Sequence, residues 1–362
     1  MTGGVHQFVS SFVPRDAVST HALAVRDVIR GMGLESEIYV KESRGEMLPE
    51  ARFYRTYAAA PDDVLLYQAA TGSVVADYLL DRPEPLIVNY HNLTPPRFFA
   101  PWEPHTAVEL SVGLRQMRDL GARASMGIAV SKFNERDLVE MGFAPTAVAP
   151  LLLDVAMFDR AADATTLDRL GAAKQAGGAD FLFVGRLAPN KAQHDLVKAF
   201  AAYRQVYEPH ARLRLVGSPS SPRYQRALRG FVATLGLADA VDLAGEVSDA
   251  ELAAYYRSAD VFVCLSEHEG FCAPVLEAMH HDLPIVAFAA GAVPETIGDA
   301  GVILPEKDPA TVAAALHRVV SDGALAGRLV AAGRRRLAEF SLERSTVEFR
   351  TVLARTLDLV AA

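Results

Sequence analysis

The sequence contains only two cysteines, Cys264 and Cys272, among its 362 residues. Both lie in one apolar stretch, so disulfide bonds do not hold this fold together and a reducing, cytoplasmic location is expected. Apolar runs are short, each being broken by Arg, Asp, Gly or Pro within about ten residues, and none predicts a membrane span. The N-terminus lacks the basic stretch and apolar core of a secretory signal. We therefore expect a cytoplasmic protein that does not associate with a membrane.

Positive charge is also scarce, with 36 Lys and Arg against 44 Asp and Glu, a formal net charge of −8. This balance argues against a nucleic-acid partner, because phosphate backbones require clustered cations. No Asp-x-Asp follows a strand-like run, and His280 and His281 lack companions at metal-ligand spacing, so we expect no metal and no cofactor. No Gly-x-Gly-x-x-Gly follows the first strand of either half, which argues against a nicotinamide dehydrogenase.

Short apolar, β-rich runs alternate with segments of helical periodicity, a pattern typical of βα units around a parallel sheet. The length of 362 residues suits two domains. Segment 159–180 has no strand-like run and is interpreted as a linker. We predict two doubly wound α/β domains, residues 1–160 and 175–340, with a ligand between them at the carboxyl ends of the strands. The predicted strands are 6–9, 36–40, 64–67, 86–90, 126–130, 181–184, 213–216, 241–243, 261–265, 285–288 and 302–304.

The strongest motif is Ser-Glu-His-Glu-Gly-Phe-Cys-Ala-Pro, residues 266–274, which follows the predicted strand 261–265. Small residues let a phosphate approach backbone amides there, and Pro274 is well placed to begin a helix whose N-terminus favours an anion. Glu269 before the turn and Glu277 in the helix could each accept hydrogen bonds from hydroxyl groups. A nucleotide sugar, with a charged middle and hydroxyl-rich ends, fits this chemistry. Judged on the residues alone, two solvated surface carboxylates are an equally good interpretation.

A second motif, Phe-Leu-Phe-Val-Gly-Arg-Leu-Ala-Pro-Asn-Lys, covers residues 181–191. A strand ends at Gly185, and Arg186 and Lys191 then precede the next helix. Two cations at a strand exit can hold a diphosphate and stabilise it as it leaves. A single cation in a loop is more often merely solvated, so the pairing is what favours the functional interpretation.

Together these motifs resemble the retaining glycosyltransferases of family four (glycosyl transferases group 1). The resemblance is close over 181–304 and implies the GT-B fold, in which two Rossmann-like domains face each other across a cleft. It also implies that a C-terminal helix, here about 343–362, crosses back to the N-terminal domain.

The resemblance assigns roles to residues of the C-terminal half. It implies that Arg186 and Lys191 hold the diphosphate, that Glu269 contacts the sugar hydroxyls and that Glu277 contacts the ribose hydroxyls. In the family a glycine often stands where this chain has Cys272, and a small buried thiol is the favoured interpretation there. Further donor-binding positions, mostly through backbone, are Gly185, Glu246, Val247, Gly270, Phe271, Cys272 and Ala273.

The N-terminal half is less similar to the family. His91 ends the predicted strand 86–90, and the resemblance places a histidine here near the reacting centre. Asn92 and Ser131 are candidates for the acceptor side, although Ser131 is better explained as a helix cap. Many relatives have a glycine-rich loop after the first strand, whereas residues 13–21 contain none. Arg15 and Ser19 remain there as possible contacts for an acceptor.

These observations predict a retaining, metal-independent glycosyltransferase that moves a hexose-type sugar from a UDP- or GDP-sugar to a small, soluble acceptor. The family positions that we expect to act in catalysis are His91, Arg186, Lys191 and Glu269. Two alternatives stay open: a nucleotide-sugar epimerase or phosphorylase of the same fold, and a non-catalytic protein that binds nucleotide sugars.

Overall fold

A computed structural model describes residues 3–14, 16–175 and 177–361 of the chain. The chain divides into two compact units. The first comprises Met1–Arg97, Pro104–Asp154 and Phe340–Ala362, and the second comprises Phe98–Glu103 and Val155–Glu339. Each unit contains one sheet, covered by its own buried apolar side chains.

The sheet of the first unit has seven strands in the order β3-β2-β1-β4-β5-β6-β7, and every pairing in it is parallel. This is a doubly wound order, which reverses between β1 and β4. The strands are β1 (Val5–Phe12), β2 (Ile38–Ser43), β3 (Arg52–Phe53), β4 (Val64–Ala69), β5 (Leu86–Tyr90), β6 (Met126–Ala129) and β7 (Thr146–Val148).

Helices of the first unit pack on this sheet through apolar faces. In α1 the side chains of Ala22, Val25 and Ile29 recur at helical spacing and all three are buried, which makes one apolar face. The first four helices are α1 (Ala17–Gly31), α2 (Val74–Leu80), α3 (Pro104–Arg123) and α4 (Lys132–Glu140). Short 3-10 helices lie at Gly45–Glu50, Tyr54–Thr56 and Pro96–Phe98.

The second unit has a six-stranded parallel sheet in the order β10-β9-β8-β11-β12-β13, which reverses between β8 and β11. The strands are β8 (Asp180–Val184), β9 (Arg212–Val216), β10 (Val241–Gly245), β11 (Val261–Cys264), β12 (Ile285–Phe288) and β13 (Gly301–Leu304). The helices are α5 (Ala164–Gln175), α6 (Gln193–Val206), α7 (Pro222–Thr234), α8 (Asp249–Ser258), α9 (Ala273–His280), α10 (Val293–Ile297), α11 (Pro309–Ser321) and α12 (Gly323–Glu339), with 3-10 helices at Val155–Phe158 and Pro189–Lys191.

The last helix, α13 (Leu342–Ala361), belongs to the first unit. Phe349 and Leu353 are fully buried, in a cluster with Val25 and Ile29 of α1. The expected return of the C-terminal helix to the N-terminal domain is therefore confirmed. Among the described residues, no helix is long and apolar enough to cross a membrane.

The interpretation of 159–180 as a linker is wrong, because α5 occupies most of it. Leu170 is buried, and Arg169 donates a hydrogen bond of 2.9 Å to the Tyr255 hydroxyl of α8. The segment has no strand-like run, but its Ala, Leu, Lys and Gln residues favour a helix. Two very short edge strands, β3 and β7, were also missed, since two or three residues give no alternating pattern.

Candidate functional site

In the second unit the loops after β8 and β11 leave neighbouring strands at the point where the strand order reverses. Open α/β sheets bind ligands at this position. Asn190 joins the two loops: its backbone oxygen accepts from the amide of Glu267 (2.8 Å), and its side-chain amide donates to the carbonyl of His268 (3.3 Å). The sequence motifs 181–191 and 266–274 are thus brought together. Asn190 was not predicted, although its place directly before Lys191 was a signal.

Lys191 and Glu269 form the ion pair at this position. The Lys191 Nζ lies 2.6 Å from Glu269 Oε1, with only 17% and 9% of the two side chains exposed. Burial alone would lower the pKa of Lys191, but the nearby Glu269 carboxylate outweighs it and the pKa is raised. An ammonium group has three donors, so Lys191 can hold Glu269 and still donate to a second acceptor.

The backbone of Glu269 is fixed by the loop after β12. The amide of Ala292 donates to the Glu269 carbonyl at 2.9 Å. Gly291 has a φ of +59°, and a Cβ there would lie 2.4 Å from the same carbonyl oxygen. Only glycine permits this approach. The carboxylate of Glu269 is therefore held on a rigid turn.

Helix α9 begins without a side-chain cap. The residue at its N-cap position, Cys272, has φ 71° and ψ 58°, a left-handed conformation that is uncommon for a residue with a side chain. Gly270 and Phe271 are buried, and Ala273 is partly buried. Cys272 makes no side-chain cap, Pro274 has no N–H, and the amide of Val275 donates to the Cys272 carbonyl at 3.1 Å. The Ala273 amide is therefore the one in the first turn that the predicted phosphate position would use.

Glu277 lies on the same helix and is partly buried. Burial raises the pKa of Glu277 to about 7, opposed by its hydrogen bond with Tyr256 and the charge of Arg160. Glu246 is exposed and Val247 partly buried in the turn between β10 and α8. The Arg186 side chain is exposed at the end of β8, next to Gly185, and its carbonyl accepts from Gln193 Nε2 at 2.9 Å. The structure therefore joins Lys191 to Glu269 but leaves Arg186 in solvent.

Three potential metal ligands, Cys264, Glu269 and Cys272, have ligand atoms within 4.8 Å of one another. The two sulfurs are 3.8 Å apart. Their hydrogen bond and burial raise the pKa of the Cys272 thiol well above its ordinary value, whereas the same hydrogen bond lowers the pKa of Cys264. Because the Lys191 ammonium already contacts Glu269, this cluster is suited to a fixed cation of the chain.

In the first unit, His91 follows β5 and its Nε2 lies 2.7 Å from Gln68 Oε1 of β4. Burial lowers the pKa of His91 to about 3, so the ring is neutral near pH 7. Asn92, the next residue, is partly buried with a φ of +91°. Ser131 caps α4 by accepting from the amide of Asn134, which confirms the cap interpretation.

The first turn of α1 carries its own anion. Asp16 Oδ2 accepts from the amide of Ser19 (2.9 Å) and from its hydroxyl (3.0 Å), while Ser19 Oγ accepts from the amide of Val13. Ser19 is fully buried in these contacts, which give it a structural role where the sequence suggested an acceptor contact. Arg15 lies outside the described residues.

The C-terminal half matches a known family. Residues 178–322 fit the model described as Glycosyl transferases group 1. The D-inositol 3-phosphate glycosyltransferase of Geodermatophilus obscurus is 36% identical over 208 residues, which cover 55% of this chain and 45% of the relative. That of Thermobispora bispora is 31% identical over 270 residues, 71% of this chain and 61% of the relative. The chain thus spans about half to three-fifths of the length of these relatives.

Solved structures match almost the whole chain. Sucrose-phosphate synthase from Thermosynechococcus elongatus has a TM-score of 0.76 at 19% identity, with 97% of this chain and 98% of that chain covered. Anabaena HepE in complex with UDP and glucose has a TM-score of 0.75 at 18% identity, with 97% and 100% covered. These likenesses confirm the GT-B fold, and the family match confirms the resemblance of the motifs. Residues 178–322 therefore match the glycosyl transferases group 1 family.

Proposed function

We propose that this chain is a retaining, metal-independent glycosyltransferase that transfers a hexose-type sugar from a nucleotide diphosphate sugar to a small polar acceptor. The observation that carries the proposal is the buried Lys191–Glu269 pair at the switch point of the second sheet, beside the uncapped start of α9. A cation, a carboxylate and a helix N-terminus at one place suit a ligand that has both phosphates and hydroxyls.

The donor diphosphate would lie at the start of α9 and receive the remaining donors of Lys191. Arg186, exposed at the end of β8, is free to approach a ligand from solvent. The second oxygen of Glu269 would accept from sugar hydroxyls. Neutralisation by two side chains and a helix terminus makes a divalent cation unnecessary in this proposal.

Retention would follow from substitution on the face that the leaving group departs from. The acceptor oxygen bonds to the anomeric carbon, the bond from that carbon to the β-phosphate oxygen breaks, and the acceptor proton passes to the phosphate. Glu269, which is ion-paired with Lys191, is assigned to hydroxyl binding and forms no covalent intermediate. Lys191 and Arg186 lower the barrier by stabilising the charge that develops on the diphosphate.

Uridine conjugates are the first donors to test. HepE has been solved with UDP-glucose, and a trehalose-6-phosphate protein of E. coli with UDP-2-fluoro glucose. GDP conjugates remain in the comparison, because the base would be contacted through backbone near Glu246 and Val247 rather than through a discriminating side chain.

The acceptor is proposed to be polar and without a phosphate at the start of α1. The curated relatives are named for D-inositol 3-phosphate, but here Asp16 holds the first turn of α1 with its own carboxylate. A second anion at this terminus would be repelled. Free polyols such as myo-inositol are therefore better first acceptors than their phosphates.

The test is a thermal-shift panel of UDP, GDP, UDP-glucose and GDP-mannose in EDTA, on wild type and Glu277→Gln. Glu306→Gln is the matched control, because Glu306 is an exposed carboxylate of the same unit, after β13. We expect one nucleotide family to stabilise wild type and the control, and to stabilise Glu277→Gln less. Product analysis with that donor then separates transfer to a polyol from epimerisation or from binding alone. If no compound raises the melting temperature, with or without Mg²⁺, the assignment of the donor site is wrong.

A further inference from the structure

A chain of buried amide side chains crosses three neighbouring strands of the first unit and ends at His91. Gln7 lies on β1, Gln68 on β4 and Asn89 on β5, and all three are almost fully buried. The links are Gln7 Nε2 to the carbonyl of Ala22 (2.9 Å), Gln68 Nε2 to Gln7 Oε1 (2.8 Å), and His91 Nε2 to Gln68 Oε1 (2.7 Å). Asn89 Nδ2 also donates to Gln68 Oε1, at 3.0 Å.

The direction of this chain is set at its far end. The carbonyl of Ala22 can only accept, so Gln7 must present its NH2 group there and its oxygen to Gln68. Gln68 must in turn donate to Gln7, which leaves its own oxygen facing His91. Turning either amide over would place two oxygens against each other at hydrogen-bond distance.

An oxygen that only accepts requires a proton on the atom it faces, so His91 carries its proton on Nε2. The ring is neutral, and Nδ1 is then left with a bare lone pair. His91 Nδ1 is buried and has no hydrogen-bond partner among residues 3–14, 16–175 and 177–361. The neighbouring His21 ring, 5.0 Å away, also has a lowered pKa because of burial and His91, and adds no charge.

We propose that Gln68 is a positioning residue that holds His91 as the Nε2–H tautomer, so that Nδ1 accepts a hydrogen bond from a ligand hydroxyl. The hydroxyl part rests on the proposed glycosyl transfer, whereas the tautomer does not. A neutral ring with a bare Nδ1 cannot donate from that atom, so its partner is a hydrogen-bond donor and not an ionised phosphate oxygen, and the donors that a sugar or polyol offers are hydroxyls. An unpartnered buried acceptor is costly, and the same contact recovers that cost.

The test is nitrogen NMR of protein labelled in histidine, with the His91 signals assigned by their loss in His91→Ala. Wild type should show His91 protonated at Nε2 and bare at Nδ1, without titration between about pH 5 and 8. Gln68→Met removes the acceptor and should give a mixed or Nδ1-protonated ring. Gln68→Glu, which restores an accepting oxygen, should return the proton to Nε2. Nδ1–H in wild type, or an unchanged ring in Gln68→Met, would overturn the proposal.

Gln116→Met is the matched control. Gln116 is also buried in the first unit and makes three hydrogen bonds, to Ser73 and Asp77, outside this chain. A comparable loss of stability without a change at His91 separates positioning from general damage. With an active donor we expect Gln68→Met to lower kcat/KM about tenfold, and Gln116→Met to leave it within about twofold.

Adding UDP, UDP-glucose, GDP-mannose or myo-inositol to labelled wild type identifies the hydroxyl. A change at Nδ1 with a sugar nucleotide but not with UDP assigns it to the donor sugar, and a change with myo-inositol assigns it to the acceptor. No change with any of them would remove the hydroxyl contact. The tautomer would stand even if no sugar were transferred, so failure of the proposed function and failure of the positioning role are distinguishable.

Discussion

Two helices that follow a strand at the switch point of their sheet begin in opposite ways. Helix α1, after β1, is capped by Asp16, whose carboxylate accepts from the amide of Ser19 at 2.9 Å. Helix α9, after β11, has no side-chain cap and starts from Cys272 in a left-handed conformation. The start of α1 thus carries a carboxylate of the chain itself, whereas the first turn of α9 contains no acidic residue.

The difference shows how one sheet topology can serve different chemistry. A helix N-terminus attracts negative charge wherever it lies, so an internal carboxylate there excludes an external one. At α9 the Glu269 carboxylate near the terminus is ion-paired with Lys191, so its charge is compensated. Both units have a doubly wound sheet, and the proposed phosphate position lies in the second.

The largest effect should come from removing the cation beside the open terminus. Lys191→Met leaves Glu269 buried without its partner, which we expect to cost about 3–5 kcal/mol in the free energy of unfolding. Urea unfolding measures this. The double variant Lys191→Met, Glu269→Gln should recover most of the stability, because no buried charge is left unpaired.

Lys174→Met is the surface control for this comparison. Lys174 pairs with Asp260 at 2.6 Å in the same unit, but 41% of its side chain is exposed. Its loss should cost less than about 1 kcal/mol. If Lys191→Met and Lys174→Met lower the free energy of unfolding equally, the buried pair contributes no more to stability than the exposed one.

A second effect should appear in the pH dependence of stability, through Glu277 of α9. The pKa of Glu277 is raised from 4.5 to about 7, so between these values the folded state binds a proton more tightly than the unfolded state. The contribution of Glu277 to stability is therefore fully present below about pH 4.5 and is lost as the pH rises through about 7, on the order of 3 kcal/mol in all. Thermal melts of wild type and Glu277→Gln should diverge over this range, with the variant relatively more stable at pH 8.

Nucleotide binding should show the opposite trend. Ribose hydroxyls donate hydrogen bonds, and an ionised carboxylate accepts more of them than a protonated one. Affinity for the preferred nucleotide should rise as the pH passes through about 7 in wild type and stay flat in Glu277→Gln. Calorimetric titration at several pH values measures it, and a parallel rise in both proteins would assign the titration to another group.

A third effect concerns the Asp16 carboxylate that caps the N-terminus of α1. Asp16→Ala removes the cap of α1 and should cost about 1 kcal/mol, while Asp16→Asn keeps a capping oxygen without the charge and should cost less. If the carboxylate is what excludes anions, inorganic phosphate should stabilise Asp16→Asn more than wild type in a thermal-shift assay. If phosphate stabilises wild type equally, the Asp16 carboxylate does not exclude anions from the N-terminus of α1.

The sequence predicted most strands because a buried parallel strand is a continuous apolar run, and β5 and β12 match at both ends. It could not predict that Phe98–Glu103 packs with the second unit. There Trp102 meets Tyr224 edge-on at 5.2 Å, and the Ser221 hydroxyl donates to Glu103 across 118 positions of sequence. No local pattern encodes a contact of that separation.

The candidate site also contains residues that the sequence predicted and residues that it did not. Lys191 and Glu269 are 78 positions apart, and their predicted roles came from family resemblance and the switch-point rule rather than from periodicity. Gln68 was missed, although an amide inside an otherwise apolar strand is a signal, because a buried polar group requires a partner. That signal identifies a residue with a partner but not the direction of its hydrogen bonds.

The smallest effect concerns the residue that opens α9. Cys272 has a φ of 71°, a conformation that costs a residue with a side chain about 1–2 kcal/mol and glycine almost nothing. Glycine also gains freedom in the unfolded chain, which offsets about 0.4–1 kcal/mol of that advantage. Cys272→Gly and Cys272→Ala both remove the thiol, so the difference between them isolates the backbone, and we expect the glycine variant to be more stable by about 0.5–1 kcal/mol in urea unfolding. If alanine is equally stable, the left-handed turn is not strained, and the thiol contact with Cys264, 3.8 Å away, is the better reason for cysteine at this position.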